Sequence, residues 1–368
     1  MKQILFFIGT EAEFIKVFPV MVELEKREIA YWIIASGQNN IQRSTLFNAL
    51  RHIGCDLVLS DTATIQKTAK GLLLWFLKTT WQSKRTIKAW LKQQNISDAL
   101  LMIHGDTVST LMGAWLGWRL QLLPVHVEAG LRSFDYLNPF PEEINRSLVS
   151  HFARVHFAPS AETCRNIRKK HDRIVNTQGN TLIDSLELSH RFAKGIAQAG
   201  IPAAGGYFVF VVHRQENLAN KGTLTRFIDE VIETSKKLPC VFILHEPTKA
   251  ALLQFHLLDR IMDCPNIHTV ERMEYFSFME LLTASAYVIT DGGSNQEELS
   301  YMGKPCLLLR KKTERNDGLG ENAILYQDDP AMIKWISDNY TRYERQVASA
   351  TISPSAIIVD TLEVLRCE

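Results

Sequence analysis

Several stretches of this 368-residue chain gather acids, bases and bare backbone where apolar runs stop. In "YVITDGGSNQEE" the apolar run ends at Thr290-Asp291, and Gly292, Gly293, Ser294 and the pair Glu297-Glu298 follow. Glycines and a serine at a helix start leave N–H groups and a partial positive charge that favour an anion such as a phosphate. A carboxylate one turn on suits hydrogen bonds from sugar hydroxyls, as in dinucleotide sites. A plain helix start with a small polar cap would look the same at this corner. Other run ends deliver Gly9-Thr10 with Glu13 and Lys16; His104, Asp106 and Thr107; His126, Glu128 and Arg132; Glu142, Glu143, Asn145 and Arg146; His213, Arg214 and Glu216; and His245. Acidic, basic and imidazole groups thus gather at the ends of apolar runs, where surface charge alone would not require them, and such groups can handle protons. Asp106 could instead cap the following helix, and Glu142 or Glu143 could balance a helix dipole. Glu128 has the weakest structural excuse, because an unpaired charge between apolar residues is costly.

The elements that must position these groups alternate: short apolar runs, then longer amphipathic stretches, the mark of parallel βαβ units. "QILFFIG", "YWIIAS", "LVL", "ALLMIHG", "PVHVEA" and "RVHFAPS" read as strands of a first half. "YFVFVVH", "CVFILH", "IHTVE", "AYVITD" and "PCLLL" read as strands of a second. The small, uncharged stretch "GIAQAGIPAAGG" from Gly195 to Gly206 is the linker candidate. The expected architecture is α/β, two Rossmann-like doubly wound domains facing a cleft, with ligands beyond the carboxyl ends of the strands. The expected division is residues 1–195, then 206–350, with 351–368 forming a helix that packs back on the first domain. "KGLLLWFLKTTWQSKRTIKAWLKQQ", Lys70 to Gln94, stands apart with three tryptophans and six basic residues. It reads as an amphipathic helix packed on its own sheet or on a second subunit, the other use of such a helix being an anionic membrane surface.

Composition narrows the classes. The chain carries 41 basic and 40 acidic side chains, so it lacks the basic excess of a nucleic-acid binder. Six scattered cysteines show neither Cys-x-x-Cys nor His-Cys spacing, which argues against a zinc site or disulfide framework and for a reducing, cytoplasmic setting. The first apolar run is too short for a signal peptide's core, and none is long enough to span a bilayer.

The motifs "GTxxEFIKxxPV", "HGDT", "HVEAGLRS", "PFPEEINR", "GNTLIDSL", "HRQEN", "TDGGSNQEE", "GKPCLLLR" and "TER" occur in this order between residues 9 and 315. Together they resemble the UDP-N-acetylglucosamine 2-epimerase family, whose fold is glycosyltransferase-B-like. The resemblance implies that Asp106, Glu128 and Glu142 are the catalytic carboxylates and His213 the active-site histidine. It implies that Gly292, Gly293 and Ser294 hold the UDP diphosphate, that Glu298 takes the ribose hydroxyls and that Phe278 stacks on uracil. Thr10, Lys16 and Arg315 would complete the substrate site, the last two as cations on the diphosphate side. No metal or redox cofactor is implied; the partners implied are a UDP-sugar and a second copy of the chain. The implied activity is a non-hydrolysing inversion at the 2-position of UDP-N-acetylglucosamine or a related acetamido sugar, by UDP elimination and re-addition. A hydrolysing relative would use the same carboxylates, and a glycosyltransferase or non-catalytic sugar-nucleotide binder could use the same fold. One departure is chemical: the family's Gly-Thr-Arg-Pro-Glu reads "GTEAE" here, with Glu11 in place of the arginine.

Overall fold

Parallel strands alternate with helices from end to end in the computed structural model, which describes residues 1–60, 69–136, 141–167, 171–192, 201–202, 205–313, 316–329, 331–346 and 352–368. Contacts divide the chain into two units, Met1–Ser185 with Ala350–Glu368, and Leu186–Ser349. The expected linker falls mostly outside the described residues.

The first unit runs β1 Gln3–Ile8, α1 Glu11–Lys26, β2 Tyr31–Ala35, β3 Leu57–Val58, α2 Ala69–Gln93, β4 Ala99–His104, α3 Val108–Arg119, β5 Leu123–Val127, α4 Glu142–Phe152, β6 Val155–Ala158, α5 Ala161–Asn166, β7 Arg173–Asn176 and α6 Leu182–Phe192, whose later residues pass into the second unit. Its seven strands lie in the order β3-β2-β1-β4-β5-β6-β7, every pair parallel. Strand order reverses between β1 and β4, the place where an open α/β sheet leaves a crevice at its carboxyl edge. β1 and β4 are buried almost throughout, which is why they read as continuous apolar runs rather than alternating ones. The helix rich in tryptophan is α2. Trp75, Ile87, Trp90 and Leu91 face the core, whereas Leu74, Leu77 and Trp81 point outward.

The second unit continues with β8 Phe208–Val211, α7 Gln215–Leu218, α8 Lys221–Ser235, β9 Cys240–Leu244, α9 Glu246–Gln254, α10 Leu258–Met262, β10 Ile267–Glu271, α11 Tyr275–Ala284, β11 Val288–Thr290, α12 Gly293–Met302, β12 Cys306–Leu308, β13 Ala323–Leu325 and α13 Ala331–Asn339. Its sheet has the order β10-β9-β8-β11-β12-β13, again all parallel, with its reversal between β8 and β11. The last helix, α14 Pro354–Cys367, belongs to the first unit: Ser355 N–H donates to Asp184 at 2.7 Å, and Arg27, just past the end of α1, pairs with Asp360 and Glu363.

Two glycines matter to the site. A Cβ on Gly9 would lie 2.1 Å from the Ser109 side chain, so the turn after β1 packs directly on the first turn of α3. Gly105 has a φ of +71°, which lets β4 bend sharply into Asp106. Among the described residues no helix is long and apolar enough to cross a membrane.

Candidate active site

In the first unit the candidate groups leave the carboxyl ends of β1, β4 and β5. Thr10 caps α1, accepting the Glu13 N–H at 3.3 Å, and Lys16 lies nearly two turns into that helix. Lys16 Nζ lies 2.6 Å from Glu128 Oε1. The same oxygen accepts Asn180 Nδ2 at 2.5 Å, and His104 Nε2 is 3.5 Å from Glu128 Oε2. Glu128 itself has a φ of +63°, a left-handed conformation that costs a non-glycine residue energy and turns the chain sharply out of β5.

Asp106 follows β4. It does not cap α3; Thr107 does, in a reciprocal box with Thr110. The Asp106 carboxylate is therefore free for Arg146, which reaches Oδ2 through Nε at 2.8 Å and Nη2 at 2.7 Å. Asn145 Nδ2 holds the Asp106 carbonyl at 2.8 Å. Burial raises the Asp106 pKa above the ordinary carboxylate range; Arg146 opposes this, while Glu128 and Glu142 push the same way as burial. Glu128 and Glu142 are thus both near enough to act on Asp106.

Glu142 and Glu143 begin α4 and play different parts. Glu142 keeps one buried oxygen, Oε2, with no hydrogen-bond partner among the described residues. Glu143 is fully buried and accepts Arg132 Nε at 2.5 Å, Ser133 N–H at 3.0 Å and Phe134 N–H at 3.3 Å. It braces the "GLRS" turn, and these hydrogen bonds and cations hold its carboxyl below the usual range despite burial. His126 is structural as well: burial pushes its pKa down to about 3, and neutral Nε2–H donates to the Gly105 carbonyl at 2.8 Å.

In the second unit, Asp291 at the end of β11 is the anchor. It is fully buried and accepts His213 N–H at 3.1 Å, Arg214 N–H at 2.9 Å and Asn217 Nδ2 at 2.9 Å. His213 Nδ1 sits 3.1 Å from Asp291 Oδ1, and the His213 ring stacks on His245 at 5.2 Å. Burial, with the neighbouring His213 and Arg272, pushes the His245 pKa down to about 4. Gly292 caps α12, but its N–H is taken by Thr290 Oγ1 at 3.0 Å. The first-turn donors available to an anion are therefore those of Gly293, Ser294 and Asn295, one residue later than the sequence implies. Glu298 is buried one turn on and accepts Asn295 Nδ2 at 3.0 Å. Phe278 lies half-buried on α11. Arg315 falls outside the described residues.

A family model described as UDP-N-acetylglucosamine 2-epimerase matches residues 23–347. The chain belongs to this family of isomerases. The UDP-N-acetylglucosamine 2-epimerase of Methanococcus maripaludis is 30% identical over 340 residues, covering 89% of this chain and 88% of that protein. Its Bacillus subtilis counterpart is 30% identical over 319 residues, 84% and 79% of the two chains. Among solved structures, the Methanocaldococcus jannaschii 2-epimerase in complex with UDP-GlcNAc and UDP is 27% identical with a TM-score of 0.77, over 99% of this chain and 100% of that one. The Neisseria meningitidis enzyme bound to UDP-GlcNAc is 26% identical with a TM-score of 0.79 over the same shares. Both units are therefore those of a glycosyltransferase-B-like 2-epimerase.

Residue types alone single out His104, Arg146 and Asp291 but not their partners, Glu128, Asp106 and His213, and they miss Asn180 on Glu128 altogether. Asn180, His104, Arg146 and Asp291 stand inside the quoted motifs "GNTLIDSL", "HGDT", "PFPEEINR" and "TDGGSNQEE". Motif membership was the available signal, and only the fold assigns the partners.

Proposed function

We propose that this epimerase-family chain interconverts UDP-N-acetylglucosamine and UDP-N-acetylmannosamine without hydrolysis. The observation that carries the reading is that Asp106 and Glu128 leave the carboxyl ends of the neighbouring strands β4 and β5, each with a cation on its carboxylate, Arg146 and Lys16. One carboxylate removes the proton from the second sugar carbon as the bond from the anomeric carbon to UDP breaks. The products of that step are UDP and an unsaturated acetamido sugar. UDP then re-adds at the anomeric carbon, and a second proton-handling group delivers a proton to the opposite face. No water is consumed. Proton donors and acceptors must be distinct and held at hydrogen-bond reach, and Glu128 and Asp106 are each fixed by neighbouring cations.

The leaving diphosphate calls for N–H donors and positive charge. Gly293 and Ser294 at the head of α12 fit the first need, with Gly292 shaping the turn. Lys16 and, from the sequence, Arg315 fit the second. Thr10 would add a hydroxyl at the first turn, Glu298 would accept ribose hydroxyls, Phe278 would stack on uracil, and His213 would serve the sugar or its diphosphate. We assign the working form to a cytoplasmic homodimer, for which the outward Leu74, Leu77 and Trp81 of α2 offer a surface.

Proton NMR of the protein with UDP-N-acetylglucosamine in deuterated water tests this. Loss of the proton on the second sugar carbon, with intact UDP-N-acetylmannosamine appearing, is the expected result. Free N-acetylmannosamine with released UDP would instead establish a hydrolysing enzyme. Binding without exchange would overturn the epimerase reading.

A further inference from the structure

One buried acid in the first unit has no part in the proposed proton transfers. Glu13, in the first turn of α1, is 3% exposed. Its Oε2 accepts the Gly9 N–H at 2.7 Å, and its Oε1 accepts the Thr107 hydroxyl at 2.5 Å. Gly9 lies in the turn after β1 and Thr107 in the turn after β4, and these two strands are neighbours in the sheet. We infer that Glu13 is a positioning residue, a tether that sets the Asp106–Thr107 turn against the Gly9–Thr10 turn. The inference rests on the proposed role of Asp106.

A first-turn carboxylate commonly serves only its own helix. Here Thr10 already caps α1, and Glu13 reaches past the helix to a second turn. From the other side, Asn145 and Arg146 of α4 hold Asp106 by its carbonyl and its carboxylate. Asp106 thus stands between two grips, α4 directly and α1 through Thr107. Glu13 holds the two turns through Gly9 N–H and the Thr107 hydroxyl and makes no direct hydrogen bond to Asp106 among the described residues, so it acts on Asp106 through the turn.

The tether tolerates either charge state, because hydroxyls continue the chain. Thr107 Oγ1 is 3.1 Å from Thr110 Oγ1, whose hydroxyl donates to the His104 carbonyl at 2.6 Å. A neutral Glu13 can donate to Thr107 while Thr107 donates to Thr110. A glutamine can do the same through its amide, keeping both contacts.

The test compares Glu13→Ala with Glu13→Gln in turnover of UDP-N-acetylglucosamine and in hydrogen exchange of the free chain. Glu13→Ala should lower kcat by about 100-fold, the scale of a misplaced catalytic group, while changing KM less than about threefold. Exchange should rise at Thr107–Leu111 and stay unchanged in β9. Glu13→Gln should recover most of the lost kcat. A Glu13→Ala enzyme with near-normal kcat, or a Glu13→Gln enzyme as poor as Glu13→Ala, would overturn the tether. If Glu13→Ala does not fold, Glu13→Asp, one methylene shorter, gives the same split. Should the wild-type chain leave UDP-N-acetylglucosamine untouched, the proposed function falls, and the exchange measurement alone decides whether Glu13 holds the turn.

Discussion

Lys16 Nζ and Glu128 Oε1 lie 2.6 Å apart, and each side chain is only 9% exposed. A buried ion pair is worth little against a well-packed apolar pair, but breaking it from one side strands a charge and costs about 3–5 kcal/mol. Lys16→Met should therefore lower the unfolding free energy of the first unit, read from urea denaturation, by an amount on that scale. The double variant Lys16→Met, Glu128→Gln should be more stable than Lys16→Met alone. Glu128→Gln by itself should abolish epimerisation while sparing UDP binding, read by NMR and by titration calorimetry. A Glu128→Gln enzyme that still turned over would remove Glu128 from the mechanism.

Arg146 opposes the burial that raises the Asp106 pKa. Replacing it with glutamine removes the only cation among the named influences and should raise that pKa further. The sign of the kinetic effect follows from the role. If Asp106 acts as a base, the acid limb of the kcat profile moves to higher pH; if as an acid, the basic limb does. A pH profile of Arg146→Gln whose limbs both stay in place would mean that Asp106 does not titrate in turnover.

Asp291 gathers the β8–α7 turn by accepting two backbone N–H groups and the Asn217 amide while fully buried. Asp291→Ala leaves the His213 and Arg214 N–H groups without that acceptor, each costing about 1–3 kcal/mol, while Asn217 Nδ2 keeps the Leu309 carbonyl at 3.2 Å. The variant should lose about 2–6 kcal/mol of stability by urea denaturation, in the second unit only, and His213 should lose its fixed position. An Asp291→Ala protein with a wild-type midpoint would show that water or another acceptor replaces the carboxylate.

Much of the fold is legible because burial on both faces writes the central strands as unbroken apolar runs, as in "LLMIHGD" and "FVFVVH". The outer strands are not. β7, "RIVN", is half-polar, and β13, "AIL", spans three residues, so neither stands out from a loop. Asp106 and Glu128 are legible as charges at strand ends. Their partners are not, because Lys16 and Glu128 are 112 residues apart and meet only through the crossing of α1 over the sheet. Nor does a sequence separate Glu142 from Glu143: adjacent first-turn positions point in different directions, and only packing shows that Glu143 is spent on Arg132 and the turn. The left-handed backbone at Glu128 is hidden too, since nothing in the residue type announces it.

Glu13 gives the clearest dependence of stability on pH. Burial raises its pKa from 4.5 to about 7, against the pull of its hydrogen bonds from Thr107, Gly9 and Thr10. With the folded pKa above the unfolded one, the folded chain holds a proton that the unfolded chain has already lost. The contribution is fully present below about pH 4.5, declines as pH rises and is gone above about pH 7. The change across that window is on the order of 3 kcal/mol. Glu13→Gln cannot titrate, so the difference in unfolding free energy between wild type and variant should move in the variant's favour from pH 4.5 to pH 7. Above pH 7 the difference should be flat. Urea unfolding of both proteins across this range measures it, and parallel curves would show that Glu13 ionises in the folded chain as readily as in water.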